Sequence, residues 1–254
     1  MKYIISCEHA TNRIPYRCRH LFQGEEGILA SHRAYDSGAA SLARILADRL
    51  HGSLHLGTIS RLLVDLNRSP TNMRSLFSEY ARRLPKSARD MLLREYYLPY
   101  RRTVEKEASE IISQGGVVLH FSIHSFSPVK GTKKRNADIG LLYDPGRKGE
   151  KNICAFLKTF LYGECETLRV RMNYPYRGKA DGFTGYMRKH YKAEQYVGVE
   201  IEINQSLLLS RGRRKKQTMD ALVRGAGEID KYFRNMKMQK GRVVDADKRY
   251  GILG

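Results

Sequence analysis

The sequence has few cysteines and no long apolar run. Its four cysteines are far apart and form no CxxC pair, so neither a zinc knuckle nor a disulfide framework is indicated. Charged residues interrupt every stretch that might otherwise span a bilayer, and the apolar run in the opening MKYIISCEHA is too short for a signal peptide. We therefore expect a cytoplasmic protein that does not enter a membrane.

Acidic residues are scarce beside basic ones. The chain has 26 Asp and Glu against 46 Lys and Arg, which gives a formal net charge of +20. Such a field attracts polyanions but does not identify a reaction. The basic residues are spread along the chain and concentrate only at positions 133–135 and 211–216, where the aromatic residues typical of single-strand binding platforms are absent. A general basic surface is favoured, and a nucleic-acid site remains an alternative.

The size of the chain predicts a single domain. A chain of 254 residues with 41% hydrophobic and 28% charged residues is typical of a globular protein with a sizeable core. No repeat or low-complexity segment divides it, and clear periodicity is lost only near the C-terminus. We predict one domain over residues 1–236 and a tail over residues 237–254.

Short apolar runs alternate with amphipathic stretches, which predicts an α/β fold with a sheet flanked by helices. Strands are predicted at residues 2–6, 53–58, 61–65, 117–123, 138–143, 168–172 and 197–203. Helices are predicted at residues 38–50, 87–113 with a break or kink at Pro99, 150–162 and 216–233. Gly115 and Gly116 are expected to end the second of these helices.

Two histidines lie at the ends of predicted strands. His9 follows the first strand, and His124 shares one strand face with His120 and Ser122. Ligands gather at the carboxyl ends of strands in open α/β sheets, so the two imidazoles could meet at one metal ion. A catalytic zinc takes three protein ligands, which requires a carboxylate as well. Four other histidines are interpreted as ordinary surface or core residues: His32, His51, His55 and His190.

The segment SRLLVDLNR, residues 60–68, places two arginines on either side of a short apolar run. Arg61 and Arg68, with Asn67 beside the second, could clamp a substrate carboxylate, because a guanidinium binds carboxylates bidentately. Surface salt bridges are the alternative interpretation of these arginines.

The segment VGVEIEIN, residues 197–204, places Glu200, Glu202 and Asn204 on one side of a strand that is otherwise apolar. Carboxylates on a core strand are costly unless they are paired or used. A carboxylate near a metal can act as general base toward a bound water. The alternative is an edge strand with one face in water.

Seven motifs together resemble the N-formylglutamate amidohydrolase family. In order, they are SCEHATNRIP, HRAYDSGAASLARILA, SRLLVDLNRS, HFSIHSFSP, NADIGLLYD, YPYRGKADGFT and VGVEIEIN, and the match runs from about Ser6 to about Phe233. That family is similar to the zinc carboxypeptidases and aspartoacylases. The resemblance implies a three-layer fold of the zinc-dependent exopeptidase (phosphorylase/hydrolase-like) type, with a mixed sheet between helices and zinc at the edge of the sheet.

The resemblance also implies the metal ligands. His9 and His124 match the two histidines that bind zinc in the relatives. The relatives have a glutamate three residues after the first histidine, where this chain has Asn12. Asp36 in AYDSGA is the best substitute for that ligand, and Glu8 is the alternative.

The remaining roles follow from the same resemblance. Glu200 matches the general base, and Arg61 the residue that binds the scissile carbonyl. Asn67 and Arg68 match the residues that hold the substrate carboxylate, and a lid or substrate-orienting role is assigned to Tyr176 and Asp181.

The expected activity is zinc-dependent cleavage of the amide of an N-acyl amino acid such as N-formylglutamate. The alternatives are deacylation of another N-acyl or peptide-like compound, and binding of RNA or another polyanion on a hydrolase fold. The sequence does not indicate whether the protein is a monomer or an oligomer.

Overall fold

The computed structural model describes residues 1–249, and their side chains as far as Phe233. A six-stranded sheet forms the centre, with strand order β2-β1-β3-β8-β6-β7. The first four strands in that order are parallel, β6 is antiparallel to β8, and β7 is parallel to β6. The strands of this sheet are β1 (Lys2–Cys7), β2 (Ser53–Leu56), β3 (Val118–Phe126), β6 (Ile139–Leu142), β7 (Val170–Met172) and β8 (Tyr196–Asn204).

A separate antiparallel hairpin connects β3 to β6. It consists of β4 (Val129–Lys130) and β5 (Lys133–Lys134), and all four of its strand residues are exposed. The predicted basic concentration at residues 133–135 therefore begins on this hairpin.

Helices cover both faces of the sheet. The α-helices are α1 (Glu26–Leu29), α2 (Ala39–Leu50), α3 (Met73–Leu76), α4 (Lys86–Leu92), α5 (Leu98–Ser113), α6 (Lys148–Glu164), α7 (Phe183–His190), α8 (Gln205–Leu208) and α9 (Arg213–Arg249). Leu46 of α2, Leu157 of α6 and Leu222 of α9 are fully buried against one face of the sheet. On the other face, Val104 of α5 and Phe183 of α7 pack with residues of β1, β3 and β8. The predicted three-layer α/β fold with a mixed sheet is confirmed.

The two central strands are buried along their whole length, as expected for strands covered by helices on both faces. All nine residues of β3 and all nine of β8 are buried. Polar side chains on these strands therefore have little contact with water and need partners inside the protein.

The second long helix is not broken near Pro99, but its α-helical hydrogen bonding is interrupted there. A π-helical segment, Leu93–Tyr97, joins α4 to α5, and Pro99 is the second residue of α5. Proline has no amide hydrogen to donate, and the π-helical segment just before it changes the hydrogen-bond register of the continuous helix. Gly115, with a φ of 76°, follows the end of α5, as predicted.

The predicted strand at residues 61–65 is wrong. Residues 61–63 form turns, in which the Leu62 and Leu63 amides donate to Ser60, and the Asp65 amide donates to the Leu76 carbonyl in another loop. The apolar residues of the segment belong to a second core cluster with Phe77 and Tyr97, outside the sheet. The apolar side chains of this segment are therefore buried although the segment is a loop, so their burial does not indicate a strand.

The last helix extends beyond the predicted one. Its backbone runs through residues 213–249, so the predicted tail is helical as far as Arg249, and residues 250–254 lie outside the described residues. The division into a domain at 1–236 and a tail at 237–254 stays a prediction. Among the helices of residues 1–249, none has the length and apolar stretch that a bilayer crossing requires.

Candidate active site

His9, Asp36 and His124 converge at the carboxyl ends of β1 and β3. Because these strands are adjacent and parallel, their ends meet at the same edge of the sheet. The two imidazole rings are 5.0 Å apart between centroids. Asp36 precedes α2, and its Oδ2 lies 2.8 Å from His124 Nδ1 and 3.4 Å from His9 Nδ1. All three residues are buried, and one ligand atom from each lies within 4.8 Å of the others.

A second carboxylate lies behind each histidine. His9 Nε2 is 2.7 Å from Asp65 Oδ1, and His124 Nε2 is 3.1 Å from Glu8 Oε2. A carboxylate beside Nε2 favours the tautomer that carries its proton there, which leaves the Nδ1 lone pair for an ion. Glu8 thus contacts the nitrogen of His124 that points away from Asp36. The geometry favours Asp36 over Glu8 as the third ligand.

Two imidazole nitrogens and one carboxylate oxygen are the donor set of many catalytic zinc sites. Burial alone would raise the pKa of Asp36, but the charges of His9 and His124 and their hydrogen bonds outweigh it and hold that pKa well below its ordinary value. The same balance, with His9 and Arg61 as partners, lowers the pKa of Asp65. These carboxylates are therefore ionised at neutral pH, and the His–Asp–His group could hold a metal ion.

Arg61 bridges the two aspartates. Its guanidinium lies 3.3 Å from Asp36 Oδ1 and 3.5 Å from Asp65 Oδ2. About a quarter of the side chain is exposed, with a relative accessibility of 26%. The arginine therefore pairs with carboxylates and also borders the cavity beside the His–Asp–His group.

Glu200 and Glu202 lie on β8, which runs between β3 and β6. The edge-strand alternative for these carboxylates is therefore wrong. Both line the same cavity, which has a volume of about 140 Å³. Glu200 accepts a hydrogen bond from Thr184 at the start of α7, whereas the buried Oε2 of Glu202 has no partner among residues 1–233. Burial, reinforced by Asp36 and Glu200 against His124 and Arg61, raises the pKa of Glu202 to about 8.

The loop after Asp65 brings Asn67 and Arg68 to the cavity. Asn67 Oδ1 accepts from the Phe183 amide at 2.6 Å, and Asn67 Nδ2 lies 3.3 Å from His124 Nε2. Arg68 Nη1 donates to the carbonyls of Asn67 and Asp181. The Asn67 side chain is thus held inside the protein, while Arg68 is held by one nitrogen only.

A buried arginine that the sequence analysis missed supports this loop. Arg101 of α5 is 4% exposed and donates from Nη1 to the carbonyls of Leu66 and Arg68. Its guanidinium lies over the rings of Phe183 and Tyr186, and its Nη2 has no partner among residues 1–233. No motif marks this residue, because its helix reads as an ordinary amphipathic segment.

Tyr176 and Asp181 lie on the loop between β7 and α7. Tyr176 lines the cavity, is 43% exposed, and accepts a hydrogen bond from Arg135. The Asp181 carboxylate accepts from the Ser69 amide and from Asn72 Nδ2. Asp181 therefore connects its own loop to the loop after Arg68, and the two loops together cover one side of the cavity.

The N-formylglutamate amidohydrolase family model matches residues 1–209, most of the chain. The chain belongs to this family. A crystal structure of an N-formylglutamate amidohydrolase from Ralstonia eutropha has 17% identity and a TM-score of 0.67, covering 92% of this chain and 96% of its own. A gene product of Agrobacterium tumefaciens has 26% identity and a TM-score of 0.72, covering 90% and 92%. No curated protein sequence matches the chain.

In this family member, one cavity brings together the three predicted metal ligands and the six other predicted site residues: His9, Asp36, His124, Arg61, Asn67, Arg68, Tyr176, Asp181 and Glu200. Their assigned roles stay predictions. Two further residues line the cavity: Glu202, which the sequence places on the same strand face as Glu200, and Arg177, to which the sequence assigns no role. Of the histidines interpreted as ordinary, His55 pairs with Glu107 at 2.6 Å, but His32 borders a neighbouring cavity that includes Asp36.

Proposed function

We propose that this chain is a zinc-dependent amidohydrolase that cleaves the amide of an N-acyl amino acid with a free carboxylate. Membership of the N-formylglutamate amidohydrolase family supports the reaction class. The observation that carries the proposal is the convergence of His9, Asp36 and His124 in a cavity that also contains arginines and glutamates. We also propose a cytoplasmic location, as the sequence predicts.

His9 and His124 would hold zinc through Nδ1, together with the carboxylate of Asp36. A zinc ion bound there would lower the pKa of its water and polarise the scissile carbonyl. Asp65 and Glu8 accept the Nε2 protons of the two histidines and so fix the ring orientation that binding requires.

Glu200 would take the proton of the attacking water and deliver it to the leaving amine. Its hydrogen bond from Thr184 fixes one carboxylate oxygen and leaves the other for this transfer. Glu202 is a second candidate for the same role, because it lines the same cavity and its Oε2 is unpaired among residues 1–233.

Arg61 would stabilise the negative charge that develops on the carbonyl oxygen. Its position beside Asp36 supports this role, because it places a guanidinium next to the proposed metal site. Arg68 with Asn67 would hold the substrate carboxylate, and the Asn67 backbone carbonyl, which accepts from Arg68 Nη1, supports that arrangement. Tyr176 and Asp181 would close the cavity over the substrate, as their two loops already meet through Asp181.

The size and charge of the cavity favour a small substrate over a polymer. Its volume of about 140 Å³ is below the ~300–1,000 Å³ of pockets for drug-sized ligands, and its lining includes Asp36, Glu200 and Glu202. A cavity of this size has no room for a polynucleotide chain. Nucleic-acid binding therefore gains no support at this site, although the +20 charge permits it elsewhere on the surface.

The test combines metal analysis with hydrolysis. We expect about one zinc per chain, as in mononuclear catalytic sites, and release of formate from N-formylglutamate by the purified protein. The His124→Ala variant should lose both. A protein that binds no zinc at neutral pH, or hydrolyses no N-acyl amino acid when loaded, would refute the proposal, and salt-dependent RNA binding by such a protein would favour the polyanion alternative.

A further inference from the structure

Arg177 stands on a backbone that is fixed on both sides. The neighbouring Gly178 donates its amide to Asn173 Oδ1 at 3.0 Å and accepts a hydrogen bond from Arg188 at 2.6 Å. The Arg177 carbonyl accepts from the Ala180 amide at 2.9 Å. The Gly178 backbone also lies so close to Tyr143 that an added Cβ would be 2.2 Å from the Tyr143 nitrogen. The position of Arg177 at the cavity is therefore preorganised.

The side chain of Arg177, in contrast, is free. It is exposed and lines the cavity, and among residues 1–233 no carboxylate forms an ion pair with it. The other two cavity arginines named above are engaged: Arg61 pairs with two aspartates, and Arg68 donates to two carbonyls. An unpaired guanidinium on a rigid support beside a substrate cavity is suited to bind an anionic group of the substrate.

The cavity thus offers two cations for a substrate of amino-acid size. Arg68 serves the carboxylate that every N-acyl amino acid carries, so a second cation is of use only for a second negative charge. A guanidinium pairs bidentately with a carboxylate, whereas the neutral carboxamide of the same shape offers a single acceptor oxygen. Arg177 can therefore distinguish a side-chain carboxylate from its amide.

We propose that Arg177 binds the side-chain carboxylate of a dicarboxylic N-acyl amino acid and so sets the preference of the enzyme for acidic over amide side chains. This inference rests on the proposed function and adds a specificity determinant to it. The pairing would take place at an exposed site, so its contribution lies at the lower end for charged hydrogen bonds, equivalent to about a 10-fold preference.

The experiment compares N-formylglutamate with N-formylglutamine as substrates of the zinc-loaded enzyme, and their N-acetyl counterparts as a second pair. The wild type should show a kcat/KM about 10-fold higher for the glutamate member of each pair. In Arg177→Gln this ratio should fall to about one, mainly through KM, because the lost contact is made in the ground state and the transition state alike. Arg177→Lys should keep part of the preference.

Lys179→Gln is the matched control. Lys179 is exposed, lies two residues away, pairs with Asp144 at 3.2 Å and does not line the catalytic cavity. The Lys179→Gln variant removes the same charge from the same loop. Its ratio of kcat/KM values for the glutamate and glutamine substrates should equal that of the wild type. If both variants lost the preference for the glutamate substrates equally, the preference would come from the overall positive charge of the protein, and the inference would be overturned.

The remaining outcomes separate the two proposals. A wild type that hydrolyses both members of a pair equally well, or an Arg177→Gln variant that keeps the preference, overturns the role of Arg177 and leaves the amidohydrolase intact. A wild type that hydrolyses none of the four compounds overturns the proposed function and, with it, this assignment.

Discussion

Replacing His120 should change the response of the protein to acid. His120 is fully buried on β3, with its nitrogens 2.7 Å from Ser6 Oγ and 2.7 Å from the Tyr196 hydroxyl. Burial is the largest cause and, together with the nearby charges of His55 and Arg188 and against that of Glu8, lowers its pKa from 6.5 to about 4. Between these values the unfolded chain binds a proton that the folded chain excludes, so stability falls as the pH falls through this window.

The magnitude follows from the same two values. A pKa difference of about 2.5 corresponds to about 3 kcal/mol of unfolding free energy lost between pH 7 and pH 4, at 1.36 kcal/mol per pKa unit. The loss begins below pH about 6.5 and is absent above it. His120→Gln keeps a donor and an acceptor for the two hydroxyls but does not titrate, so it should not show this part of the loss.

Urea unfolding of the two proteins at pH 7 and pH 4, both in a chelator so that neither carries metal, measures the difference. The carboxylates are the same in the two proteins and change the unfolding free energy of both equally. Between pH 7 and pH 4 the wild type should therefore lose about 3 kcal/mol more unfolding free energy than His120→Gln. Parallel pH profiles would show that His120 is protonated in the folded state and would refute the reasoning.

Three further predictions concern the site and its support. Glu200→Gln should lower kcat by about 100-fold or more with unchanged zinc content, measured by formate release and metal analysis; full activity, with loss in Glu202→Gln instead, would transfer the base role to Glu202. Asp65→Asn should weaken zinc affinity by about 10- to 100-fold in a chelator competition, because His9 loses its carboxylate partner, and an unchanged affinity would contradict that role. Gly178→Ala should lower the free energy of unfolding by more than about 2 kcal/mol, because its Cβ meets the Tyr143 backbone, whereas the control Gly163→Ala, with no atom within 4 Å, should not destabilise.

The sheet and its histidines could be predicted because their signals are local. The β-rich runs at β1, β3 and β8 are continuous, and polar side chains that can bind a ligand stand near the end of each of these apolar strands. His9 and His124 were expected to meet because adjacent parallel strands end at one edge. The structure agrees, with a centroid separation of 5.0 Å.

The remaining features depend on contacts between distant segments. Residues 61–65 have the composition of a strand, but the Arg61 amide donates to the Ala34 carbonyl and the Asp65 amide to the Leu76 carbonyl, and only the tertiary fold brings these partners near. Helix α7 was not predicted, because Gly182 and Gly185 interrupt its pattern and its buried Arg188 reads as a surface residue. Arg188 can be buried because it pairs with Glu150 at 2.9 Å, a partner 38 residues away, and donates to the carbonyls of Gly178 and Gly198.

Helix α7 joins two halves of the site that come from different segments. The Phe183 amide in its first turn donates to Asn67, which precedes Arg68, while Thr184 donates to Glu200 on β8. A small displacement of this one helix would move the anchor of the substrate-binding loop and the anchor of the proposed base at the same moment. With the roles proposed for Arg68 and Glu200, substrate affinity and turnover would be mechanically linked. A substitution on the buried face of α7, such as one at Met187, should then alter both without touching either group.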